Sequence, residues 1–149
     1  DTQYWERCQS LMRKVPGNVA INILGLLPHE SVLGELAKAH IFILPTQSEN
    51  FGYSIIEALS MGCPIVISDR TPWNSLTGHD WAEILDLEDR AEWIRVIDKF
   101  ASMGRSGYSK LSEDALAFAR SWLASSSAEG KMEELFTRAL NLRSTSDAE

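Results

Sequence analysis

The sequence has little that ties it to a membrane, a nucleic acid or an oxidising compartment. No apolar run approaches the ~20 residues that a membrane-spanning helix needs, and no signal peptide is visible. The formal net charge of -7 argues against broad nucleic-acid binding, because phosphates attract a basic surface. Cys8 and Cys63 are the only cysteines, and we expect both to stay reduced. We therefore expect a cytoplasmic protein, with peripheral association at a membrane left open.

Metal-binding patterns are equally sparse, whereas the overall composition is that of one globular domain. His29, His40 and His79 are scattered, without the spacing of a metal site. The chain of 149 residues is 44% apolar and 23% charged, which suffices for a hydrophobic core. We expect a single domain over residues 1–149, cut from a longer protein, because a helix is already under way at Asp1.

Apolar runs and helical patterns alternate along the chain. Strands are predicted at 19–27, 41–45 and 64–68, with a short edge strand and a helix start within 83–89. Helices are predicted at 3–14, 31–39, 52–62, 89–103, 111–124 and 129–142. This alternation predicts an α/β fold with a parallel sheet, flanking helices and C-terminal helices.

A ligand of such a sheet is expected beyond the carboxyl ends of its strands. Three loops should lie there, at 25–29, 46–53 and 69–73. They are far apart in sequence, and the fold is expected to bring them together.

The stretch "PTQSENFGYSIIEALSMGCP" (residues 45–64) combines a loop, a helix start and two acids. Gly52 has no Cβ, so a phosphate can approach the amides at the helix start. Glu57 lies about five residues into the helix, or ~8 Å along its axis, where the ribose of a nucleoside diphosphate would fall. Glu49 lies on the other side of the helix start, toward a sugar. The residues alone leave a plainer interpretation open, in which Glu49 is a solvated loop acid and Glu57 a surface residue.

The segment "ILPTQSENFGYSIIEALSMGCPIVISD" closely resembles the donor-site segment of GT-B glycosyltransferases of the retaining family four, also called glycosyl transferases group 1. The marks of that family are a strand ending in Pro-Ser or Pro-Thr and a Glu-x-Phe-Gly segment. A second Glu follows eight positions after the first, and then Gly-x-Pro with two β-branched residues. The resemblance extends from Val19 to the last helices.

The resemblance implies a Rossmann-like fold and a set of site residues. Residues 1–149 would be a fragment of the C-terminal, nucleotide-sugar-binding domain, without its first strands and without the N-terminal acceptor domain. Glu49 is implied as the catalytic residue beside the donor sugar, and Glu57 as the acid that binds the ribose hydroxyls. The implied donor-binding residues are Gly25, Asn50, Phe51, Gly52, Tyr53, Ser54 and Glu57.

The resemblance also implies the reaction. A sugar would pass from a nucleotide diphosphate sugar to a glycan, lipid or other hydroxyl acceptor, with retention, as in glycan biosynthesis. No metal or other cofactor is expected, and the chain contains no Asp-x-Asp cluster. Two alternatives stay open, a non-catalytic nucleotide-sugar-binding module and a GT-B-fold nucleotide-sugar epimerase.

Two departures from the family's pattern bear on activity. No segment resembles the family's basic pair, an Arg and a Lys that neutralise the diphosphate, and Arg70 is the only nearby substitute. "TPWNSL" stands where many members have a Gly-Gly-x-Pro-Glu loop. We therefore expect this chain to bind the donor weakly and, on its own, not to catalyse sugar transfer.

Overall fold

The structure, a computed structural model, describes residues 2–125 of the chain. Its α-helices are α1 (Thr2–Met12), α2 (His29–Lys38), α3 (Tyr53–Ser60), α4 (Arg90–Ala101) and α5 (Arg105–Ser125). Its strands are β1 (Phe42–Leu44), β2 (Ile65–Ser68) and β3 (Ala82–Leu85), with a short 3-10 helix at Asn74–Leu76. The helix predicted at 129–142 lies outside the described residues. Within residues 2–125, no helix is both long enough and apolar enough to cross a bilayer.

The three strands form one parallel sheet in the order β1-β2-β3. Val66 in the central strand lies opposite Ile43 of β1 and Glu83 of β3. Because all three strands run in the same direction, the loops that follow them emerge at one end of the sheet. This confirms the predicted α/β class with a parallel sheet and C-terminal helices.

The core is built around β2, in which every residue is buried. Helix α3 contributes Ile55, Ile56 and Leu59, none of which is exposed to solvent. Helices α4 and α5 add apolar stripes at helical spacing, as expected for helices that cover a sheet. The buried members of these two stripes are Trp93, Val96 and Phe100 in α4 and Leu111, Ala115 and Ala119 in α5.

Helix α4 begins where the sequence predicts it, because Asp89 caps it. The Asp89 carboxylate accepts a hydrogen bond from the amide of Glu92 at 3.1 Å, as an N-cap residue does. Helix α5 begins at Arg105, six residues before its predicted start, since the polar residues between Arg105 and Leu111 continue the helix on its exposed side.

The prediction of a strand at 19–27 is wrong. This segment forms no helix or strand, and its apolar side chains are exposed, Ile23 to 61% and Leu26 fully. An apolar run indicates that a segment can be buried, but a strand also needs a hydrogen-bonding neighbour. Among residues 2–125, β1 and β3 pair only with β2, and neither pairs with this segment. Helix α1 likewise has no buried residue, although its apolar stripe suggests one.

The buried centre of the sheet predicts a contrast between two isoleucines. Replacing Ile67, which is fully buried in β2, by alanine should lower the free energy of unfolding by about 2–5 kcal/mol, through lost burial and a residual cavity. The matched change Ile43→Ala in β1, where the side chain is 39% exposed, should cost about 1 kcal/mol or less. Urea denaturation measures both values, and equal losses would contradict this account of the core.

Candidate functional site

The loop between β1 and α3 is organised by its own carboxylate. The Oε1 atom of Glu49 accepts hydrogen bonds from the amides of Asn50 at 2.9 Å, Phe51 at 3.4 Å and Gly52 at 3.1 Å. Hydrogen bonds from amides to a charged acceptor are stronger than those to a neutral one. Glu49 is therefore a fixed part of the loop, and its Oε2 atom can accept from a ligand.

Gly52 makes the tight turn into α3 possible. Its φ angle of +79° lies in the left-handed region that favours glycine. A Cβ atom at this position would lie 2.8 Å from Cδ1 of Ile55 and 2.9 Å from Nε1 of Trp73. The residue is thus required both for its backbone angle and for the close packing around it.

The third loop holds the second one in place. The indole Nε1–H of Trp73 donates to the carbonyl of Phe51 at 2.6 Å. The Ser68 hydroxyl donates to the carbonyl of Thr46 at 2.7 Å. Trp73 is only 7% exposed, so this indole is a buried support of the loop. The predicted approach of the loops at 46–53 and 69–73 is confirmed.

The first loop reaches the site through His29, the first residue of α2. Nε2 of His29 lies 2.9 Å from Oε1 of Glu57. Glu57 is flanked by fully buried residues of α3, yet its side chain keeps 21% of its surface exposed. Gly25, the residue expected from this loop, lies in exposed backbone at φ +66°, and nothing is within 4 Å of where its Cβ would be.

Tyr53 and Ser54 form the first turn of α3. The amide of Ile55 already donates to the carbonyl of Gly52 at 2.9 Å. The two amides before it have no acceptor within the helix, because helix starts leave such donors unpaired. The Tyr53 ring is 56% exposed and packs against Phe51, with ring centroids 4.4 Å apart. This turn therefore offers two amides at the positive end of a helix dipole.

An aromatic pocket of about 400 Å³ adjoins the loop on the side of α5. Its wall includes Phe51, Trp73 and Trp122, and the rings of the two tryptophans lie 5.5 Å apart. His79 also lines it and stacks on Trp81 at 4.8 Å. Trp81 and Trp93 are buried in the core.

Arg70, the cation that the sequence suggests as a substitute for the basic pair, is engaged away from the helix start. Its Nη2 atom lies 3.3 Å from Oε1 of Glu88. Within residues 2–125, no three His, Cys, Asp or Glu side chains cluster in a way that could hold a metal ion.

Two contacts of the site escape sequence reasoning. His29 and Glu57 are 28 positions apart, and Phe51 and Trp73 are 22 apart. The available signals were weak: a histidine at a helix start, and a tryptophan that follows a proline in a turn. Both contacts depend on how helices and loops pack, which no local pattern encodes.

The model of the family "Glycosyl transferases group 1" matches residues 1–115. The chain therefore belongs to that family, and its resemblance to the family is confirmed. No protein with curated annotation matches the chain. The family is one of sugar-transferring enzymes, and the parallel sheet with C-terminal helices agrees with a partial GT-B domain.

The turn at Gly52 yields a prediction that separates steric clash from backbone strain. Gly52→Ala should destabilise the protein by about 1–3 kcal/mol and disturb the Trp73–Phe51 hydrogen bond, since the new Cβ meets the indole. Gly78→Ala is the matched control, because Gly78 has φ +96° with nothing within 4 Å of the added Cβ. Its cost should be about 1 kcal/mol, from backbone strain alone.

Urea denaturation gives the two stabilities, and the exchange rate of the Trp73 indole proton reports on the hydrogen bond. Faster indole exchange in Gly52→Ala, but not in Gly78→Ala, is the expected result. Equal effects of the two substitutions on both measurements would contradict the steric role of Gly52.

Proposed function

We propose that this domain is the donor-site half of a glycosyltransferase. It binds the nucleoside diphosphate part of an activated sugar, which the intact enzyme transfers, with retention, to a hydroxyl acceptor. The observation that carries this proposal is the pair of acids around the start of α3. Glu49 organises the loop before the helix, and Glu57 stays accessible in a helix whose neighbouring residues are fully buried.

The diphosphate occupies the first turn of α3. The amides of Tyr53 and Ser54 point out of the helix start, and the helix dipole adds about half a positive charge there. Gly52 contributes through its positive φ angle, which turns the chain sharply into α3 and leaves the first amides of the helix without intrahelical acceptors. Phosphate groups commonly bind at such positions, because several donors converge without any need for a metal ion.

The ribose lies farther along the helix, at Glu57. This residue is five positions after Gly52, which corresponds to ~8 Å along the axis. A carboxylate has about four acceptor sites on two oxygens. It can therefore hold both the 2′ and the 3′ hydroxyl while it also accepts from His29.

Glu49 acts on the sugar side. Its Oε1 atom holds the loop by accepting hydrogen bonds from three amides. Its Oε2 atom accepts a hydrogen bond from a hydroxyl of the transferred sugar. Fixed polar groups next to a reacting centre stabilise the transition state at little cost in reorganisation. In this proposal the carboxylate aligns the sugar, and the loop keeps the carboxylate aligned.

The diphosphate also needs cations, which the described residues supply poorly. A diphosphate carries two or more negative charges, and the Glu49 carboxylate adds another beside the helix start. Arg70 is engaged with Glu88 on the surface. We therefore expect the chain alone to bind nucleoside diphosphates weakly and without turnover, and to need the basic pair of the intact enzyme for catalysis.

The ribose assignment predicts a loss of affinity on removal of one carboxylate. UDP, GDP and ADP are titrated separately by calorimetry, and the best binder is retained. Glu57→Ala should weaken its binding about 10- to 100-fold, the loss expected for hydrogen bonds to a charged group. Glu83→Ala is the control, since Glu83 is equally half-buried, at 23% exposure, but lies in β3 and pairs with Lys99. Unchanged affinity in Glu57→Ala would remove the ribose assignment.

The sugar-side assignment of Glu49 predicts a loss of rate. In the intact enzyme, Glu49→Ala should lower kcat about 100- to 1000-fold, while the Kd of the nucleoside diphosphate stays within about threefold, because the ribose contacts are untouched. Glu49→Gln keeps an oxygen that can accept from the loop amides, so its kcat should fall less than that of Glu49→Ala. Steady-state kinetics and calorimetry measure both quantities. A weaker affinity for the nucleoside diphosphate with an unchanged kcat would show that Glu49 binds the nucleotide and does not act on the sugar.

A further inference from the structure

The hydrogen bond between His29 and Glu57 joins the end of the first loop to an acid of the site, and it has a definite polarity. The two atoms, Nε2 and Oε1, are 2.9 Å apart, with side-chain exposures of 41% and 21%. An ionised carboxylate can only accept a hydrogen bond, so Nε2 of the imidazole carries the proton and donates it. The pair is open to solvent on one side, where a ligand can reach it.

The position of this pair is set by helix packing and not by the two side chains themselves. Leu33 and Met61 form a buried cluster between α2 and α3, at 4% and 3% exposure. His29 is four residues before Leu33, and Glu57 is four residues before Met61. Met61 directly follows α3, and its amide still donates to the carbonyl of Glu57 at 3.2 Å. Residues four apart share a helix face, so the polar pair lies one turn before the apolar pair.

We propose that His29 is a positioning residue for ribose recognition, acting through Glu57. This inference rests on the proposed function, in which Glu57 binds the ribose hydroxyls. The imidazole N–H holds Oε1 and thereby fixes the carboxylate in one orientation. Oε2 and the remaining acceptor site of Oε1 then face the 2′ and 3′ hydroxyls of the ribose.

The gain comes from ordering the carboxylate before the ligand arrives. A glutamate side chain has several rotatable bonds, and freezing it on binding costs entropy. A side chain that is already held in its bound orientation avoids much of this cost. The effect of His29 should therefore appear only with ligands that carry the hydroxyls, which a general structural role would not produce.

A second pair in the chain serves as a matched control for that structural role. Nζ of Lys99 lies 2.6 Å from Oε1 of Glu83, with side-chain exposures of 40% and 23%. This pair joins α4 to β3, and its burial is nearly that of the His29–Glu57 pair. Half-exposed pairs of this kind contribute little to stability, so losing either one should leave the protein folded.

The test uses the best-binding nucleotide among UDP, GDP and ADP, together with its 2′,3′-dideoxy counterpart. Calorimetry gives Kd values for the wild type, His29→Ala, His29→Gln and Lys99→Ala. We expect His29→Ala to lower the affinity for the ribonucleotide about fivefold. Its affinity for the dideoxynucleotide should stay within about twofold of the wild-type value. His29→Gln should restore the affinity, because its amide N–H can reach Oε1. Lys99→Ala should match the wild type with both ligands.

Four results would overturn the inference. Equal weakening of both nucleotides by His29→Ala would mean that the residue acts on another part of the ligand or on the fold. Unchanged affinity for both would mean that the contact has no part in binding. A wild-type protein that binds the dideoxynucleotide as well as the ribonucleotide would instead remove the ribose assignment of Glu57, and the role of His29 with it. A preference for the ribonucleotide that Glu57→Ala abolishes and His29→Ala leaves intact would retain the proposed function and reject this inference alone.

Discussion

The complete burial of β2 is the constraint from which the arrangement of the site follows. A strand covered on both faces has no room for polar side chains there, since a buried polar group without partners is costly. Polar chemistry is therefore confined to the loops at the carboxyl ends of the strands. Ser68, the last residue of β2, begins this transition, because its hydroxyl already donates to the carbonyl of Thr46. The loop that carries Glu49 is thus tied to the fully buried central strand.

Within this frame, Glu49 serves two purposes that oppose each other electrostatically. Its carboxylate satisfies three amides that would otherwise lack an acceptor, which fixes the loop. The same negative charge lies near the start of α3 and offsets part of the positive potential that a phosphate would use. Under the proposed function, this arrangement defines the loop at the expense of anion affinity. The affinity for a diphosphate would then depend strongly on cations supplied from elsewhere.

Sequence reasoning recovers those parts of the molecule that local patterns encode. The apolar runs give β1, which is partly buried, and β2, which is fully buried, and Gly52 and Glu57 are visible from their spacing around a helix start. The same rule fails at 19–27, because an apolar run indicates a preference for burial but does not supply a neighbouring strand. His29 and Trp73 could not be assigned, since their partners are fixed by helix and loop packing across more than 20 positions. The implied roles of the donor residues stay predictions.

The exposed segment at 19–27 has a further consequence, for the colloidal behaviour of the domain. It is largely apolar and carries no charged residue, and among residues 2–125 no strand pairs with β1 on the side away from β2. Both features favour strand-to-strand association between molecules. At low ionic strength the net charge of -7 keeps molecules apart. Added salt screens that repulsion, with a Debye length of about 10 Å at 0.1 M. This domain should therefore aggregate least in buffers of low ionic strength, whereas many proteins are stored in salt to prevent precipitation.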